Sequence, residues 1–245
     1  MQQTLSNWQQ WQIEGYEPLK KAPEVVAELV GGRTNKTFLV ASEEFQAVLR
    51  VNSPHSIKLG IDRQREARIL KLLQPTGVTP KVYFVSHEVL VSEFIVGRTL
   101  GKKSLKNSHT MEALSLALRS VQSVEMPDDM PRNYLQYCQR YLDQLSSQVV
   151  SDQVREHIEQ AARVVDQGGW QPVICHHDMV LENIIETDNG LFIIDWEYAA
   201  LGHPGLDFLR LYGSDYMVNN QQQESLQALL KVKQAMDKLW LAVQL

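Results

Sequence analysis

Short apolar runs with β-rich composition open the chain. "EVVAELVGG" (24–32), "KTFLVAS" (36–42) and "FQAVLRV" (45–51) are separated by turn-length gaps, which predicts an antiparallel meander. In "IDRQREARILKLL" (61–73), Ile61, Ile69, Leu72 and Leu73 sit among good helix formers. A helix is expected there, stopped by "PTGVTP". "KVYFVS" and "EVLVSEFI" (88–95) supply two further strands joined by a short polar turn. The order β-β-β-α-β-β by about residue 95 describes a small α+β unit.

"GRTLGKKSL" reads as a connector, and beyond it the apolar period becomes helical. Residues 109–124 place Met111, Leu114, Leu118 and Val121 on one face. Residues 132–145 do so with Leu135, Cys138, Leu142 and Leu145, and residues 151–165 with Val154, Ile158, Ala161, Ala162 and Val165. A terminal amphipathic helix carries Leu226, Leu229, Leu230, Met236, Leu239, Trp240 and Val243. Strand signals interrupt this helical part once, in "NIIETDNGLFIID", where Asp188, Asn189 and Gly190 are turn formers. The expected architecture is α+β. A small antiparallel-sheet lobe covers residues 1–95, a hinge lies near 94–100, and a mostly helical lobe with one hairpin covers 96–245.

At 245 residues and 44% hydrophobic content the chain is long and apolar enough for a full core. Cys138 and Cys175 form no spaced pair, which suits two reduced thiols in a cytoplasmic protein. The N-terminus has neither a basic start nor an apolar run, so no signal peptide is expected. No apolar stretch approaches membrane-spanning length. A net charge of −5 argues against nucleic acid, and its distribution says more. Residues 1–110 carry 15 Lys and Arg against 10 acids, whereas 172–218 carry Arg210 alone against eight acids. A basic first part suits an anion such as a nucleotide, and an acidic later part a metal or cationic ligand. Uneven surface charge would give the same asymmetry.

The acids concentrate in "ICHHDMVLENIIETDNGLFIIDWE" (174–197), beside strand material in which an unpaired carboxylate is costly. Pairing about the Asp188–Gly190 turn sets residue 186 opposite 191 and brings Asn183 close to Asp195. Asp178 lies five residues before Asn183, and even an extended chain of that length spans only about 17 Å. Three oxygen-bearing side chains therefore converge, a donor set that suits Mg²⁺ with substrate phosphates. Adjacent residues on an extended segment point in alternate directions, so "CHHD" is a poor zinc cluster. A buried salt-bridge network is the competing reading, and the first lobe would have to supply its cations. The spacing His-x-Asp, four residues, Asn, then an Asp on a following hairpin matches kinases. There the first Asp receives the substrate hydroxyl proton, and the Asn and second Asp hold metal. Those residues here are Asp178, Asn183 and Asp195, with His176 bracing the loop.

"HHDMVLEN", "FIIDWEY" and "GHPGLDF" in this order resemble the aminoglycoside phosphotransferase and choline kinase superfamily, over roughly residues 24 to 245. The resemblance implies a protein-kinase-like two-lobe fold and transfer of the ATP γ-phosphoryl group, with Mg²⁺, to a hydroxyl of a small molecule. It implies that Gly31, Gly32 and Asn35 of "LVGGRTNKTFLV" belong to the nucleotide loop. Arg50 would stand where most kinases have the phosphate-binding Lys, paired with Glu66, and the backbone of Glu93 to Ile95 would face the adenine. Asp207 resembles the superfamily's structural acid, and Gln122 stands where relatives often carry His. Only eleven residues separate Asp195 from Asp207, too few to seat a peptide substrate. The acidic second lobe favours a cationic alcohol: choline, ethanolamine or thiamine, with an aminoglycoside ranked behind. Glu197 is expected to stand behind the metal ligands or to face the substrate. Trp196, Tyr198, Tyr212, Tyr216 and Trp240 are the aromatics that could cage an ammonium. A non-catalytic relative would lack Asp178, Asn183 or Asp195, and all three are present.

Overall fold

Side-chain alternation and polar caps set the elements of the computed structural model, which describes residues 1–12, 19–30, 34–43, 45–218 and 223–244. After a short helix α1 (Gln2–Ser6) come strands β1 (Glu24–Leu29), β2 (Lys36–Ser42) and β3 (Phe45–Val51), helix α2 (Arg63–Leu73), and strands β4 (Val82–Val85) and β5 (Val89–Glu93). The strands form one antiparallel sheet in the order β1-β2-β3-β5-β4. In β3, Phe45, Ala47 and Leu49 turn inward while Gln46 faces solvent, as the period of two requires. They pack with Trp11, Val40, Tyr83 and Val91 in a core of their own.

Helix α2 starts where Asp62 Oδ1 accepts the Gln64 and Arg65 amides, which satisfies two of the orphan first-turn donors. Asn107, Asn133 and Ser151 cap α3 (Ser108–Gln122), α4 (Tyr134–Leu142) and α5 (Asp152–Asp166) in the same way. The chain closes with α6 (Leu206–Tyr212), α7 (Asp215–Val218) and α8 (Gln223–Val243), and α4, α5 and α8 share a second core.

Between the helices run β6 (Arg98–Thr99), β7 (Val173–Cys175), β8 (Ile184–Thr187), β9 (Gly190–Ile193) and β10 (Ala200–Gly202). β8 and β9 form the expected hairpin, with Glu186 opposite Leu191 and Thr187–Gly190 closing the turn. Two elements depart from the pattern-based reading. The connector contains β6, which adds a third strand against β8 because Leu100 N–H also finds Ile184 O at 2.9 Å. The segment 200–202 pairs with 173–175 as a two-stranded ribbon under the "CHHD" loop. A third core joins Ile69 and Leu73 of α2, Leu114 and Leu118 of α3, and Ile184 and Ile193 of the hairpin. Among the described residues no helix is long and apolar enough to cross a membrane.

Candidate active site

The loop after β7 is held from below by one carboxylate. Asp207, on the first turn of α6 and 1% exposed, accepts the His176 amide at 2.7 Å and the His177 amide at 3.1 Å. Burial raises the Asp207 pKa, against the two amides and Arg210 that favour its charge. His177 takes a left-handed backbone (φ 65°), and its buried ring reaches Cys175 O through Nδ1 at 3.2 Å. Gly202 makes that possible: a Cβ there would stand 2.7 Å from His177 Cε1 and 2.9 Å from the Tyr134 hydroxyl.

His176 ties this loop to the hairpin. It donates from Nε2 to Ile194 O at 2.9 Å and accepts the Asp178 amide on Nδ1 at 3.2 Å, which fixes a neutral tautomer. With both nitrogens engaged, the His176 ring ties the loop to the hairpin. Asn183 completes the tie: its Nδ2 donates to Asp178 O (3.0 Å) and its carbonyl accepts Ile194 N–H (2.9 Å). Asp178, Asn183 and the residue before Asp195 are thus tied together by four hydrogen bonds spanning 176–194. Asp195 itself is left-handed, with φ 64° and ψ 58°, a conformation Asp tolerates better than most residues and one that collects at functional sites.

Above Asp195 lies a chain of buried charges. Glu66 Oε2 accepts from Arg50 Nη2 at 2.7 Å and from Arg63 Nη1 at 2.9 Å, and Arg63 Nη1 reaches Glu197 Oε2 at 3.0 Å. Arg50 Nη1 lies 3.5 Å from Asp195 Oδ1. Burial opposes charge on both partners of the central pair. Even so, Glu66 and its neighbouring carboxylates hold the Arg50 pKa above its ordinary value. The two guanidiniums likewise hold Glu66 below its own. Asp195 goes the other way: partial burial, then the Glu197 carboxylate, raise its pKa, with Arg50 only partly offsetting them.

That carboxylate crowding bears on a divalent ion. Asp195 is 38% exposed on its side chain. The Asn183 amide nitrogen is engaged, which leaves its Oδ1 as a donor. No group of three His, Cys, Asp or Glu among the described residues could hold a metal by itself. Hard oxygen donors, an excess of negative charge and an incomplete ligand set fit Mg²⁺ shared with phosphates, and fit zinc poorly.

Several residues sit elsewhere than the sequence reading placed them. Gly31 and Gly32 lie outside the described residues. Asn35 joins the charge network, its Nδ2 donating to Glu197 Oε2 (2.6 Å) and its Oδ1 accepting from Arg63 Nη2 and Ser53 N. Glu197, 4% exposed and held by Arg63 and Asn35, takes the first of its two expected places, behind the site and inside the charge network. Trp196 is 1% exposed, donates Nε1–H to Ile193 O and meets the His176 ring edge-on, and so belongs to the core. The Glu93 amide donates to Lys81 O, while the Ile95 amide has no partner among the described residues. Gln122 Nε2 donates to Pro204 O at 2.8 Å, securing the "GHPG" turn.

A cavity of about 260 Å³ opens beside Asp178, walled by Tyr137, Tyr141, Tyr198 and Trp240 and floored in part by His177 and Leu206. Tyr198 and Trp240, joined by an Nε1–H to hydroxyl bond of 2.8 Å, are there as expected; Tyr212 and Tyr216 pack against the α2–α3 core instead. Tyr137, Tyr141, Asp237 and Arg63 were missed, although Tyr134, Tyr137 and Tyr141 recur at helical spacing. Arg210 lies 3.6 Å from Asp178 Oδ1 and 3.3 Å from Asp237 Oδ1, and Lys233 lies 2.9 Å from Asp237 Oδ2.

The scaffold under this loop carries a pH signature. His203 is 2% exposed, accepts Gly205 N–H on Nδ1, and burial lowers its pKa to about 4. A folded pKa below the unfolded value, about 6.5, means the unfolded chain takes the proton first. Its contribution is intact above about pH 6.5 and is lost as pH falls toward 4. Between pH 7 and pH 5, His203→Asn should lose about 2 kcal/mol less unfolding free energy than the wild type in urea titrations. Equal losses would mean another group takes up the proton.

Comparison with known proteins agrees with this geometry. The family model described as choline/ethanolamine kinase matches residues 26–239. Ethanolamine kinase 2 of Mus musculus is 26% identical over 198 residues, covering 72% of this chain and 49% of that protein. The chain thus spans about half the length of the curated relatives it matches first. The choline kinase LicA of Streptococcus pneumoniae superposes with a TM-score of 0.71 at 22% identity, covering 90% of this chain and 86% of that one. LicA in complex with AMP gives 0.72 at 23% identity, with 92% and 86% covered. The kinase-like two-lobe fold is therefore shared, the family model spans most of the chain, and the chain belongs to the choline/ethanolamine kinase family.

Proposed function

We propose that this protein transfers the γ-phosphoryl group of ATP to the hydroxyl of a small cationic alcohol, choline or ethanolamine in preference to thiamine. The observation that carries the reading is the cavity itself: Asp178 at one side, aromatic faces around it, and Asp237 on α8. Aromatic rings and a carboxylate attract an ammonium group, and the same cavity presents its hydroxyl end to Asp178. A space of about 260 Å³ suits an amino alcohol and is too small for a multi-ring aminoglycoside. An ammonium group would compete with Lys233 for Asp237.

In this reading residues 1–95 form the nucleotide lobe and 96–245 the acceptor lobe. The free Ile95 amide faces the base, and Arg50, oriented by Glu66, meets the phosphates through its planar fork. Asn183 and Asp195 would hold Mg²⁺, which supplies charge neutralisation to the phosphates when bound. The acceptor oxygen forms a bond to γ-phosphorus as the bond to the ADP oxygen breaks, and Asp178 takes the hydroxyl proton. His176 and Asp207 keep Asp178 aimed. LicA in complex with AMP supports a nucleotide in this fold, and the family description supports the acceptor class. The test is a panel of choline, ethanolamine, thiamine and an aminoglycoside with ATP and Mg²⁺, read by ³¹P NMR. A phosphomonoester of choline or ethanolamine is the expected product; one formed only from the aminoglycoside would reverse the ranking.

A further inference from the structure

A second cleft, of about 770 Å³, lies on the far side of Tyr137 from the acceptor cavity. Its walls come from the 53–65 segment that leads into α2 and from the 130–140 segment that leads into α4. Its charge is one-sided. Four arginines line it, at 63, 65, 132 and 140, against the single carboxylate of Asp62. Two of the four are compensated nearby: Arg63 by Glu66 and Glu197, and Arg65 by Asp62 and Asp129. Asp62 is itself spent, because its Oδ1 caps α2.

Arg132 and Arg140 have no carboxylate partner among the described residues. The Arg132 guanidinium sits 4.0 Å over the Tyr137 ring and donates from Nη2 to Tyr198 O at 2.7 Å, while its Nη1 has no hydrogen-bond partner among the described residues. Arg140 rests against Gly60, where a Cβ would stand 2.8 Å from its Nη1 and 2.9 Å from the Tyr137 ring. At φ 74° this position favours glycine, and the missing Cβ leaves room for the Tyr137 ring and the guanidinium. The first-turn amides of α2 and α4 contribute nothing further, since Asp62, Asn133 and Asp166 already accept them.

We infer that this cleft is a binding site for a small phosphate-bearing anion, held between Arg132 and Arg140. A guanidinium fork matches a phosphate edge with two parallel hydrogen bonds, and the exposed Arg140 fork beside the buried, unsatisfied Nη1 of Arg132 offers more than a solvated surface does. The volume falls in the range of small-molecule sites. Arg132 links the two cavities, because it touches Tyr137 and the carbonyl of Tyr198, both residues that wall the acceptor cavity. The site does not rest on the phosphotransferase reading and can be tested apart from it.

Crystals of the wild type soaked in tungstate should show an anomalous peak between Arg132 and Arg140, absent from identically soaked Arg140→Gln crystals. In solution without Mg²⁺, inorganic phosphate measured by calorimetry should bind the wild type about tenfold more tightly than Arg140→Gln, the loss expected for one charged hydrogen-bonding partner. Arg140 is exposed on α4, so the variant keeps its fold. A tungstate peak confined to the Arg50 side, a peak that persists in Arg140→Gln, or equal phosphate affinities would each overturn the proposal. So would binding of an acidic peptide, and not of phosphate, at these arginines.

Discussion

Replacing Asp178 with Ala should lower the rate of phosphoryl transfer by about 10²–10⁴-fold while leaving nucleotide affinity within a few-fold of the wild type. The two effects separate because Asp178 lines the aromatic cavity, whereas Arg50, Asn183 and Asp195 are not among its walls. Its backbone contacts, from His176 and Asn183, do not depend on its carboxylate. Single-turnover transfer and nucleotide titration on one preparation check both halves. A turnover within tenfold of the wild type would remove Asp178 from the role of base.

Glu66→Ala carries the largest expected cost in stability, about 3–5 kcal/mol. Glu66 is 3% exposed and both guanidiniums that share its Oε2 are buried, so truncation strands two charges in one place. Arg63 retains the Glu197 carboxylate, whereas Arg50 retains the distant Asp195 contact at 3.5 Å and a neutral partner, Asn52 Oδ1, at 3.1 Å. The larger share of the penalty therefore falls on Arg50. Urea unfolding compares the two proteins, and the deficit should shrink in an Arg50→Met, Glu66→Ala double variant, where the stranded charge is gone. A single-variant loss below about 1 kcal/mol would show that water reaches this network.

What the sequence made legible follows chain distance. The hairpin was readable because a turn of Asp188, Asn189 and Gly190 sets its own register, and register alone puts Asn183 beside the residues that carry Asp195. Caps at Asp62, Asn107, Asn133 and Ser151 likewise act over three residues or fewer. Partners far apart in the chain were not readable. Arg63 meets Glu197 across 134 residues, and no local feature distinguishes Arg63 from Arg65 or Arg68.

The aromatic residues show the same limit in another form. Trp196 and Tyr198 are two residues apart and alike in composition, yet the turn they form (Trp196–Tyr198) buries the first against His176 and turns the second to the cavity. On α4 the apolar face was read through Leu135, Cys138 and Leu142, whereas Tyr134, Cys138, Tyr141 and Leu142 are the buried set. Tyrosine counts weakly in a hydrophobic pattern because its hydroxyl needs a partner, and here Leu59 O and His203 N–H supply those partners. Two buried phenols thus frame a cavity that a strictly apolar face would have filled.

The account turns on whether the crowded carboxylates around Asp195 are neutralised by a divalent ion on a nucleotide. Calorimetric titration of ATP with and without Mg²⁺, in the wild type and in Asp195→Asn, asks this directly. The account predicts tighter wild-type binding with Mg²⁺ and little or no Mg²⁺ dependence in the variant. Equal Mg²⁺ dependence in both proteins would contradict it.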